Sequence, residues 1–375
     1  MNPETDEQFQ LRLLQGVART FALTIPQLPP PLVKVVANAY LLCRITDTIE
    51  DETAIPAERK RELAARFIDV VAGRENAGVF ATDFYPLLSE QRLDAERELI
   101  RETARVVRIT HSFSPRQQAA LSKCVTVMGE GMAYYQAHGG PGGLPTRESF
   151  DNYCYHVAGV VGEMLTELYC DYSPAMDTRR EELLRLAVSF GQGLQMVNIL
   201  KDIWEDRLRG VCWLPRDLFT ATGFELSQLT PGRREPAFEQ GLATLIGIAH
   251  GHLQNALRYT LLIPAEERGL RTFCSWGIGM ALLTLRKLNR RRDFINGRQV
   301  KISRRSVLAV IAATRLARGG NRRMAAAFRL AAMGLPEPRE AAISTTHEHV
   351  SKWFHAGSAS AQSREQCWVS RGYIR

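Results

Sequence analysis

Apolar residues recur along most of the chain at intervals of three and four positions, which is the spacing of one face of an α-helix. We find no convincing series of segments with the alternation of apolar and polar positions that half-buried β-strands show. Segments rich in proline and glycine interrupt the helical pattern and predict helix ends at residues 25–31, 111–116, 138–146, 214–224 and 230–236. The pattern therefore predicts an all-α protein.

The domain organisation follows from the same pattern. None of the interruptions is long enough for a convincing linker, so residues 1–335 are predicted to form a single domain. Beyond about residue 335 the periodicity fades, and residues 336–375 are predicted to be a loosely ordered C-terminal tail. The basic amphipathic stretch at residues 321–334 is predicted to be a final core helix with a solvated face, or alternatively a lipid contact.

Composition narrows the class of protein. The chain has 375 residues and a net charge of +8, but only seven of its 48 basic residues are lysines, so we attribute the charge to arginine-rich codon usage and predict no nucleic-acid partner. The seven cysteines form no CxxC pair, which predicts a reduced, cytoplasmic protein. Apolar runs such as WGIGMALLTL are too short to cross a bilayer, so any membrane contact is predicted to be peripheral, at the inner membrane surface.

One acidic motif occurs twice. The segments RITDTIEDE and NILKDIWED share the spacing D-x-x-E-D, and the two copies start 155 positions apart. Residues at positions i, i+3 and i+4 share a helical face, so each copy presents a carboxylate cluster. The clusters are Asp47, Glu50 and Asp51 in the first copy and Asp202, Glu205 and Asp206 in the second.

A single copy would be explained by a solvated helix end, but the repetition favours a bound cation, because like charges at this spacing repel. Mg²⁺ suits the pattern, since it takes oxygen ligands and is usually shared between carboxylates and substrate phosphates. Two facing clusters are therefore predicted to bind a diphosphate through Mg²⁺, with a hydrocarbon chain along the apolar stripe. Upstream on the two stripes lie Tyr40 and Arg44, and Gln195 and Asn198.

A third segment, YCYHVAGVVGEML at residues 153–165, combines an apolar face with glycines. Tyr153 and Val157 lie on that face, followed by Val160 and Met164. Gly159 and Gly162 lower helix propensity, so they indicate either close helix packing or space for a cavity.

These segments resemble the squalene/phytoene synthase family, within the all-α class I isoprenoid synthases. The resemblance covers about residues 15–310 and rests on five ordered segments, VARTFAL, AYLLCRITDTIEDE, YCYHVAGVVGE, QMVNILKDIWED and RQVKISRR. It implies a helical bundle around a central apolar cavity with two facing acidic motifs. The DTIED ending and the segment from Val300 to Arg304 are most similar to the squalene synthases of the family.

The resemblance implies a farnesyltransferase that joins two molecules of farnesyl diphosphate into presqualene diphosphate and reduces this with NADPH to squalene. Alternatives are an enzyme that stops at presqualene diphosphate or makes phytoene or dehydrosqualene. A catalytically inactive membrane or assembly factor of the same fold is disfavoured, because both acidic motifs are intact. A monomer or weak dimer is expected.

The resemblance also implies residue roles. Tyr153 matches the family tyrosine assigned to proton loss, and Tyr40, Phe21 and Phe273 are expected to stabilise positive charge through their rings. The two acidic motifs are expected to bind Mg²⁺. The expected NADPH contacts are Arg19, Arg44, Lys301 and Arg304, and the expected substrate contacts are Arg44, Gln195, Asn198, Lys201 and Arg209.

Two departures from the family pattern bear on these roles. Lys201 precedes the second motif where arginine is common, and Arg207 or Arg209 is expected to supply the missing contact. Ser303 stands where a basic residue often contacts NADPH, and Arg304 is expected to compensate from the next position. No glycine-rich dinucleotide fingerprint follows a strand pattern, so any NADPH site must be of a helical type.

Overall fold

A computed structural model describes residues 4–18, 20–232, 235–339 and 341. This part of the chain is helical and contains no β-strand, only an isolated bridge between Leu144 and Pro215. The all-α prediction is confirmed. The α-helices, in chain order, are α1 Asp6–Val17, α2 Phe21–Thr24, α3 Pro30–Asp51, α4 Ala57–Val71, α5 Ala77–Phe84, α6 Asp94–Arg101, α7 Thr103–Thr110, α8 Pro115–His138, α9 Arg147–Cys154, α10 Val160–Tyr172, α11 Pro174–Asp177, α12 Arg180–Lys201, α13 Ile203–Leu208, α14 Arg216–Thr220, α15 Pro236–Leu262, α16 Arg268–Arg290, α17 Arg304–Ala317 and α18 Asn321–Ala332.

The helix starts follow from local sequence. Three of the long helices, α3, α8 and α15, have proline in their first turn, where the missing N–H has no intrahelical partner to lose. Ser114 also caps α8 by accepting a hydrogen bond from Gln117 N at 3.2 Å. These starts lie at predicted interruptions of the pattern. The predicted break at 214–224 differs in that it contains the short helix α14.

The core consists of two clusters of buried apolar side chains. One is built largely on α3, α4, α8 and α10, and the other on the end of α12 with α15 and α16. Tyr134, Val157 and Phe190 are only partly buried and pack against both clusters. These three side chains mark an apolar boundary between the clusters that is not fully closed.

Glycines allow the central helices to approach closely. A Cβ at Gly162 would lie 2.2 Å from the Ala187 carbonyl oxygen, and one at Gly191 would lie 2.1 Å from the Ala158 carbonyl oxygen. A Cβ at Gly159 would meet side chains instead, at 2.9 Å from Tyr155 Cδ2 and 3.3 Å from Val188 Cγ1. Of the two explanations that the sequence left open for Gly159 and Gly162, the cavity is therefore wrong and close packing of α10 on α12 is correct.

We expect Gly162→Ala to lower the free energy of unfolding by about 2 kcal/mol or more, because the added methyl group collides with a backbone oxygen that cannot rotate away. Gly277→Ala is the matched control. It also lies within a long helix, but its Cβ would meet only Leu194 Cδ1 at 3.8 Å, so higher helix propensity should make it neutral or slightly stabilising. Urea denaturation of both variants checks the prediction, and equal stability would contradict it.

By length and composition, helix α12 is long and apolar enough to cross a membrane. This differs from the sequence prediction, in which the apolar runs were too short to do so. Within the described residues it is a core helix, since 67% of its most apolar window is buried and it packs against α10, α15 and α16. Its neighbours in the bundle account for its hydrophobicity.

The C-terminal part of the described chain packs on the bundle. Met324 and Phe328 of α18 are buried, so residues 321–334 supply a core-facing helix. After α18, Arg339 N donates to Gly247 O at 2.9 Å and Pro336 O contacts His250 Nδ1 at 3.0 Å, both on α15. Most of the predicted tail at 336–375 lies outside the described residues, and its boundary stays a prediction.

Candidate active site

The first acidic motif occupies the last turn of α3. Asp47, Glu50 and Asp51 are half-buried there, and Arg44 Nη1 lies 3.8 Å from Asp47 Oδ2. The next residue, Glu52, leaves the helix and is buried. Its carboxylate accepts hydrogen bonds from Ala54 N, Ser89 N and Arg92 Nε at 3.1 to 3.2 Å, so it stabilises the chain reversal and is not available to a ligand.

The second acidic motif lies where α12 ends. The helix is interrupted at Asp202 and resumes as α13, so this copy does not continue one regular helix. The hydrogen bonds from Asp202 N to Asn198 O and from Asp206 N to Asp202 O, both 2.9 Å, nevertheless keep the helical spacing. Lys201 Nζ lies 2.9 Å from Asp202 Oδ2 and so pairs with the motif itself.

Arg209 joins the two motifs. Its Nη1 donates to Asp51 Oδ1 at 2.7 Å and its Nη2 donates to Asp206 Oδ1 at 2.6 Å. The two clusters therefore face each other, as the repetition of the motif predicted. The sequence indicated Arg209 as a substrate contact, and the structure places it between the two sets of carboxylates.

Four of the carboxyl groups in the two motifs, those of Asp47, Glu50, Asp202 and Asp206, have raised pKa values. Burial, with the charge of neighbouring carboxylates, raises the pKa of Asp47 to about 7, of Glu50 to about 8 and of Asp206 to about 6. Burial also raises the pKa of Asp202, against the opposing effect of Lys201. Such a site favours a divalent cation, because its positive charge offsets both the burial of the carboxylates and their mutual repulsion.

Glu205 provides a further test of fit to a metal ion. Its Oε1 accepts a hydrogen bond from Gly297 N at 2.9 Å, whereas its Oε2 is buried without a hydrogen-bond partner in the described residues. In that part of the chain, no three Asp, Glu, His or Cys side chains converge as a ready coordination set. Mg²⁺ does not require one, since it retains several waters and binds through one or two carboxylates plus phosphate oxygens. The residues therefore fit Mg²⁺ shared with a diphosphate.

We expect the metal-free protein to lose on the order of 4 kcal/mol of stability between pH 6 and pH 8. Three carboxyl groups with folded-state pKa values of about 7, 8 and 6 together hold about 1.5 protons more than the unfolded chain across this range, and each such proton corresponds to about 1.4 kcal/mol per pH unit. Asp47, Glu50 and Asp206 have folded-state pKa values above those of the unfolded chain, so the folded state binds more protons in this range and stability falls as pH rises. Mg²⁺ binds the deprotonated form, so saturating Mg²⁺ should reduce the loss.

Urea unfolding at pH 6 and pH 8, with EDTA or with Mg²⁺, measures this effect. Asp47→Asn should flatten the pH dependence in EDTA, whereas Asp94→Asn, an exposed aspartate in the first turn of α6, should leave it unchanged. A stabilisation by Mg²⁺ that is the same at both pH values would contradict the prediction.

Tyr153 lies close to both motifs. It is buried, stacks on Trp213 with ring centroids 4.3 Å apart, and meets Tyr135 edge-on at 5.1 Å. Burial, with the nearby carboxylates of Glu50 and Asp206, raises the pKa of Tyr153 well above its ordinary value. Its phenol is therefore neutral. Trp213 was not predicted, because only the folded chain brings the segment after α13 onto α9.

The predicted aromatic residues come together. The ring centroid of Phe21 lies 5.2 Å from that of Tyr40 and 6.3 Å from that of Phe273. Tyr169, which sequence reasoning missed, meets Phe273 edge-on at 6.5 Å. The Tyr40 hydroxyl donates to Val17 O at 3.2 Å, and burial raises the pKa of this phenol. The cluster is apolar with neutral rings, and Tyr40 connects it to Asp47 along α3.

The remaining predicted contacts are distributed around these groups. Arg44 forms an ion pair with the buried Glu96, so part of its guanidinium group already binds a carboxylate of the protein. Two further predicted contacts lie near the end of α12. Gln195 is half-buried, and Asn198 is exposed four positions before Asp202. Arg19 lies outside the described residues.

The basic segment begins against the second acidic motif. Trp204 Nε1 donates to Phe294 O at 2.6 Å, and a Cβ at Gly297 would lie 3.1 Å from Glu205 Oε1. Val300 is buried, whereas Lys301 and Arg304 are exposed. Ser303, the departure from the family pattern, caps α17 by accepting a hydrogen bond from Ser306 N at 3.1 Å.

An all-α bundle with two facing acidic motifs defines the class of all-α isoprenoid synthases. Residues 14–306 match the model of the squalene/phytoene synthase family, and the chain belongs to that family. Among curated relatives, it is 28% identical over 279 residues to the squalene synthase of Eremothecium gossypii, covering 73% of this chain and 60% of the relative. It is 26% identical over 325 residues to that of Cyberlindnera jadinii, covering 85% and 70%.

Solved structures agree on the fold. The complex of TcSQS with the ligand BPH1237 superposes with a TM-score of 0.70 at 24% identity, covering 90% of this chain and 94% of that one. A dehydrosqualene synthase in complex with a ligand gives a TM-score of 0.61 at 18% identity, covering 83% and 95%. At these identities the likeness establishes the architecture alone. The chain spans about 60% of the length of the Eremothecium gossypii relative.

Proposed function

We propose that the protein is a squalene synthase, which joins two molecules of farnesyl diphosphate into presqualene diphosphate and reduces this to squalene with NADPH. The observation that carries the proposal is the pair of facing acidic motifs, bridged by Arg209, with Tyr153 close to both. Curated relatives named squalene synthase support the substrate and the product. A role in isoprenoid biosynthesis follows from the family.

The site residues suit the departure of a diphosphate. Asp47, Glu50 and Asp51 with Asp202, Glu205 and Asp206 would bind Mg²⁺, which when bound withdraws charge from the diphosphate and eases its departure. Arg209 supplies a guanidinium group between the two motifs, in position to contact phosphate oxygens. Lys201, Asn198 and Gln195 lie along the second motif and would contact the same group.

The apolar part of the site protects the allylic cation that remains. Water must be excluded until the double bond of the second farnesyl chain attacks it, and the half-buried Val157 and Phe190 provide an apolar wall. The rings of Phe21, Tyr40 and Phe273 present π-electrons to positive charge.

Closure of the cyclopropane ring of presqualene diphosphate releases one proton. Tyr153 is neutral and buried near Glu50 and Asp206, so its hydroxyl can orient the reacting carbon and relay the proton toward a carboxylate or the released diphosphate. A neutral phenol is too weak a base to retain the proton itself. Trp213, stacked on the ring, fixes its orientation.

The reduction needs a hydride, which NADPH supplies when bound. Lys301 and Arg304 are exposed on the segment anchored at Glu205 and would bind its phosphates, and Arg44 and Arg19 are further candidates. The basic donors and this anchoring support a cofactor site on the segment. The alternative is an enzyme that stops at presqualene diphosphate or forms dehydrosqualene or phytoene.

The decisive experiment incubates the purified protein with farnesyl diphosphate and Mg²⁺, with and without NADPH, and identifies the products by mass spectrometry. Squalene with NADPH, and presqualene diphosphate or its rearranged products without it, is the expected result. Dehydrosqualene under both conditions would replace the proposal by the alternative, and no condensation at all would refute both. We also propose a cytoplasmic monomer or weak dimer that contacts the inner membrane surface peripherally.

A further inference from the structure

The positive charge of the chain is concentrated in one segment. Residues 294–336 contain nine basic residues and no Asp or Glu, whereas the rest of the chain has 39 basic and 40 acidic residues. The net charge of +8 therefore comes from this segment, which includes α17 and α18. Its basic residues are Arg298, Lys301, Arg304, Arg305, Arg315, Arg318, Arg322, Arg323 and Arg329.

The connection between α17 and α18 is fixed from inside the protein. The buried Arg271 of α16 donates to Arg318 O at 3.2 Å and to Asn321 Oδ1 at 2.9 Å, on either side of the turn. Val310 packs against Gly279, where an added Cβ would come within 2.7 Å. The two helices thus present a defined outer face to the surroundings.

That outer face is apolar as well as basic. Leu308 and Leu316 on α17 are 64% and 77% exposed, and Leu330 on α18 and Met333 directly after it are 67% and 61% exposed. Exposed alanines at 309, 312 and 326 lie between them at helical spacing. Within the described residues, no carboxylate pairs with the exposed guanidinium groups of Arg315, Arg322, Arg323 and Arg329.

We propose that the outer face of α17 and α18 is a docking surface for a bilayer with anionic lipid head groups. Its exposed leucines would enter the boundary between head groups and acyl chains, and its arginines would bind lipid phosphates. A nucleic acid would satisfy the arginines but would leave the leucines in water. A second copy of the chain would bring two faces of the same charge together, which opposes association.

The position of this surface fits a role in product release, and this role rests on the proposed function. Helix α16 carries Phe273 of the aromatic cluster and also packs against α17. A hydrocarbon product formed beside that cluster is insoluble in water and must pass into lipid. Docking through α17 and α18 would bring the bilayer next to a helix that borders the apolar site.

The test is binding of the full chain, without substrate, to vesicles of phosphatidylcholine alone or with phosphatidylglycerol, measured by co-sedimentation. We expect binding to the anionic vesicles and at least tenfold weaker binding to neutral ones. The combined variant Arg315→Gln, Arg322→Gln, Arg323→Gln and Arg329→Gln should weaken binding at least fiftyfold, since each basic residue near an anionic membrane contributes about a factor of five.

Matched controls separate this face from general charge and hydrophobicity. Replacement of the exposed Arg61, Arg179, Arg185 and Arg268 by Gln removes the same charge elsewhere. Leu316→Ser with Leu330→Ser should weaken binding at least fivefold, whereas Val79→Ser with Leu93→Ser, which are 54% and 58% exposed in the wild type, should not. Circular dichroism should show that all variants keep the helical fold.

The following results would overturn the proposal. They are equal weakening by the control arginine variant, no binding of wild type to anionic vesicles, and a preference for duplex DNA of the same charge over the vesicles. Dimerisation lost specifically in the leucine variant would assign the face to a second copy instead. Because the assay contains no substrate, its failure leaves the proposed reaction untouched, and failure of the product assay leaves the docking surface untouched.

Discussion

Asp47→Asn and Asp202→Asn are each expected to lower the rate of farnesyl diphosphate condensation by a factor on the order of 10²–10³. Each change keeps the size of the side chain but removes one negative charge from a metal-binding motif. Burial already raises the pKa of both carboxylates, so the cost of keeping them charged is recovered only when a cation binds. The loss should appear in single-turnover release of diphosphate at saturating substrate.

The two substitutions should leave the fold intact. Removing a repelling carboxylate from a buried cluster relieves repulsion in the metal-free protein, so stability in EDTA should be unchanged or slightly higher. Asp94→Asn serves as the control for both measurements. Turnover within threefold of wild type for either variant would refute the assignment of a metal site.

Glu52→Gln tests whether the carboxylate next to the first motif binds metal or stabilises the fold. Glu52 directly follows the first motif, yet its carboxylate accepts hydrogen bonds from Ser89 N and Arg92 Nε and is buried among protein groups. Its substitution should therefore affect stability more than the Mg²⁺ requirement. The D-x-x-E-D spacing places Glu50 but not Glu52 in the carboxylate cluster, and the folded loop after α3 shows what Glu52 binds instead.

The sequence predicted the features of the site that depend only on the geometry of a single helix. The spacing D-x-x-E-D is sufficient to place three carboxylates on one helical face, because backbone hydrogen bonding fixes the positions of i, i+3 and i+4. That Arg209 would bridge Asp51 and Asp206 depends on how α3 and α13 pack, which no spacing in the chain encodes. Trp213 was missed for the same reason.

The glycines show a second limit. Gly162 within a helical segment indicated that a larger side chain is not tolerated at this position. The sequence did not show which group lies against it. The answer depends on the Ala187 carbonyl oxygen, 2.2 Å from where a Cβ would lie. The resemblance to a family indicated Tyr153 and the aromatic cluster, whereas hydrophobic periodicity alone would have assigned Phe21, Tyr40 and Phe273 to an ordinary core.

The basic segment provides the second large expected effect. Lys301→Ala combined with Arg304→Ala should raise the NADPH concentration needed for half-maximal squalene formation by about a hundredfold, with little change in the rate of condensation. Each charge-assisted contact to a phosphate contributes roughly 1.5–3 kcal/mol, which corresponds to tenfold or more per residue. Presqualene diphosphate should accumulate at NADPH concentrations that saturate the wild type.

The structure makes this separation of the two half-reactions reasonable. The segment is anchored by Gly297 N on Glu205 Oε1 and by the buried Val300, so loss of two exposed side chains further along should not disturb the metal-binding motif. Arg305→Ala, at the adjacent position, which is also exposed, is the matched control and should leave the NADPH requirement within twofold of wild type.

Three outcomes distinguish the possible roles of this segment. An unchanged NADPH requirement in the double variant would show that Lys301 and Arg304 are only a solvated basic loop and that another group binds the cofactor. A parallel loss of condensation would mean that the segment acts on the first diphosphate instead, close to Glu205. Wild-type protein that leaves presqualene diphosphate unreduced at any NADPH concentration would overturn the squalene assignment, because the reductive step is what distinguishes it from a condensing enzyme of the same family.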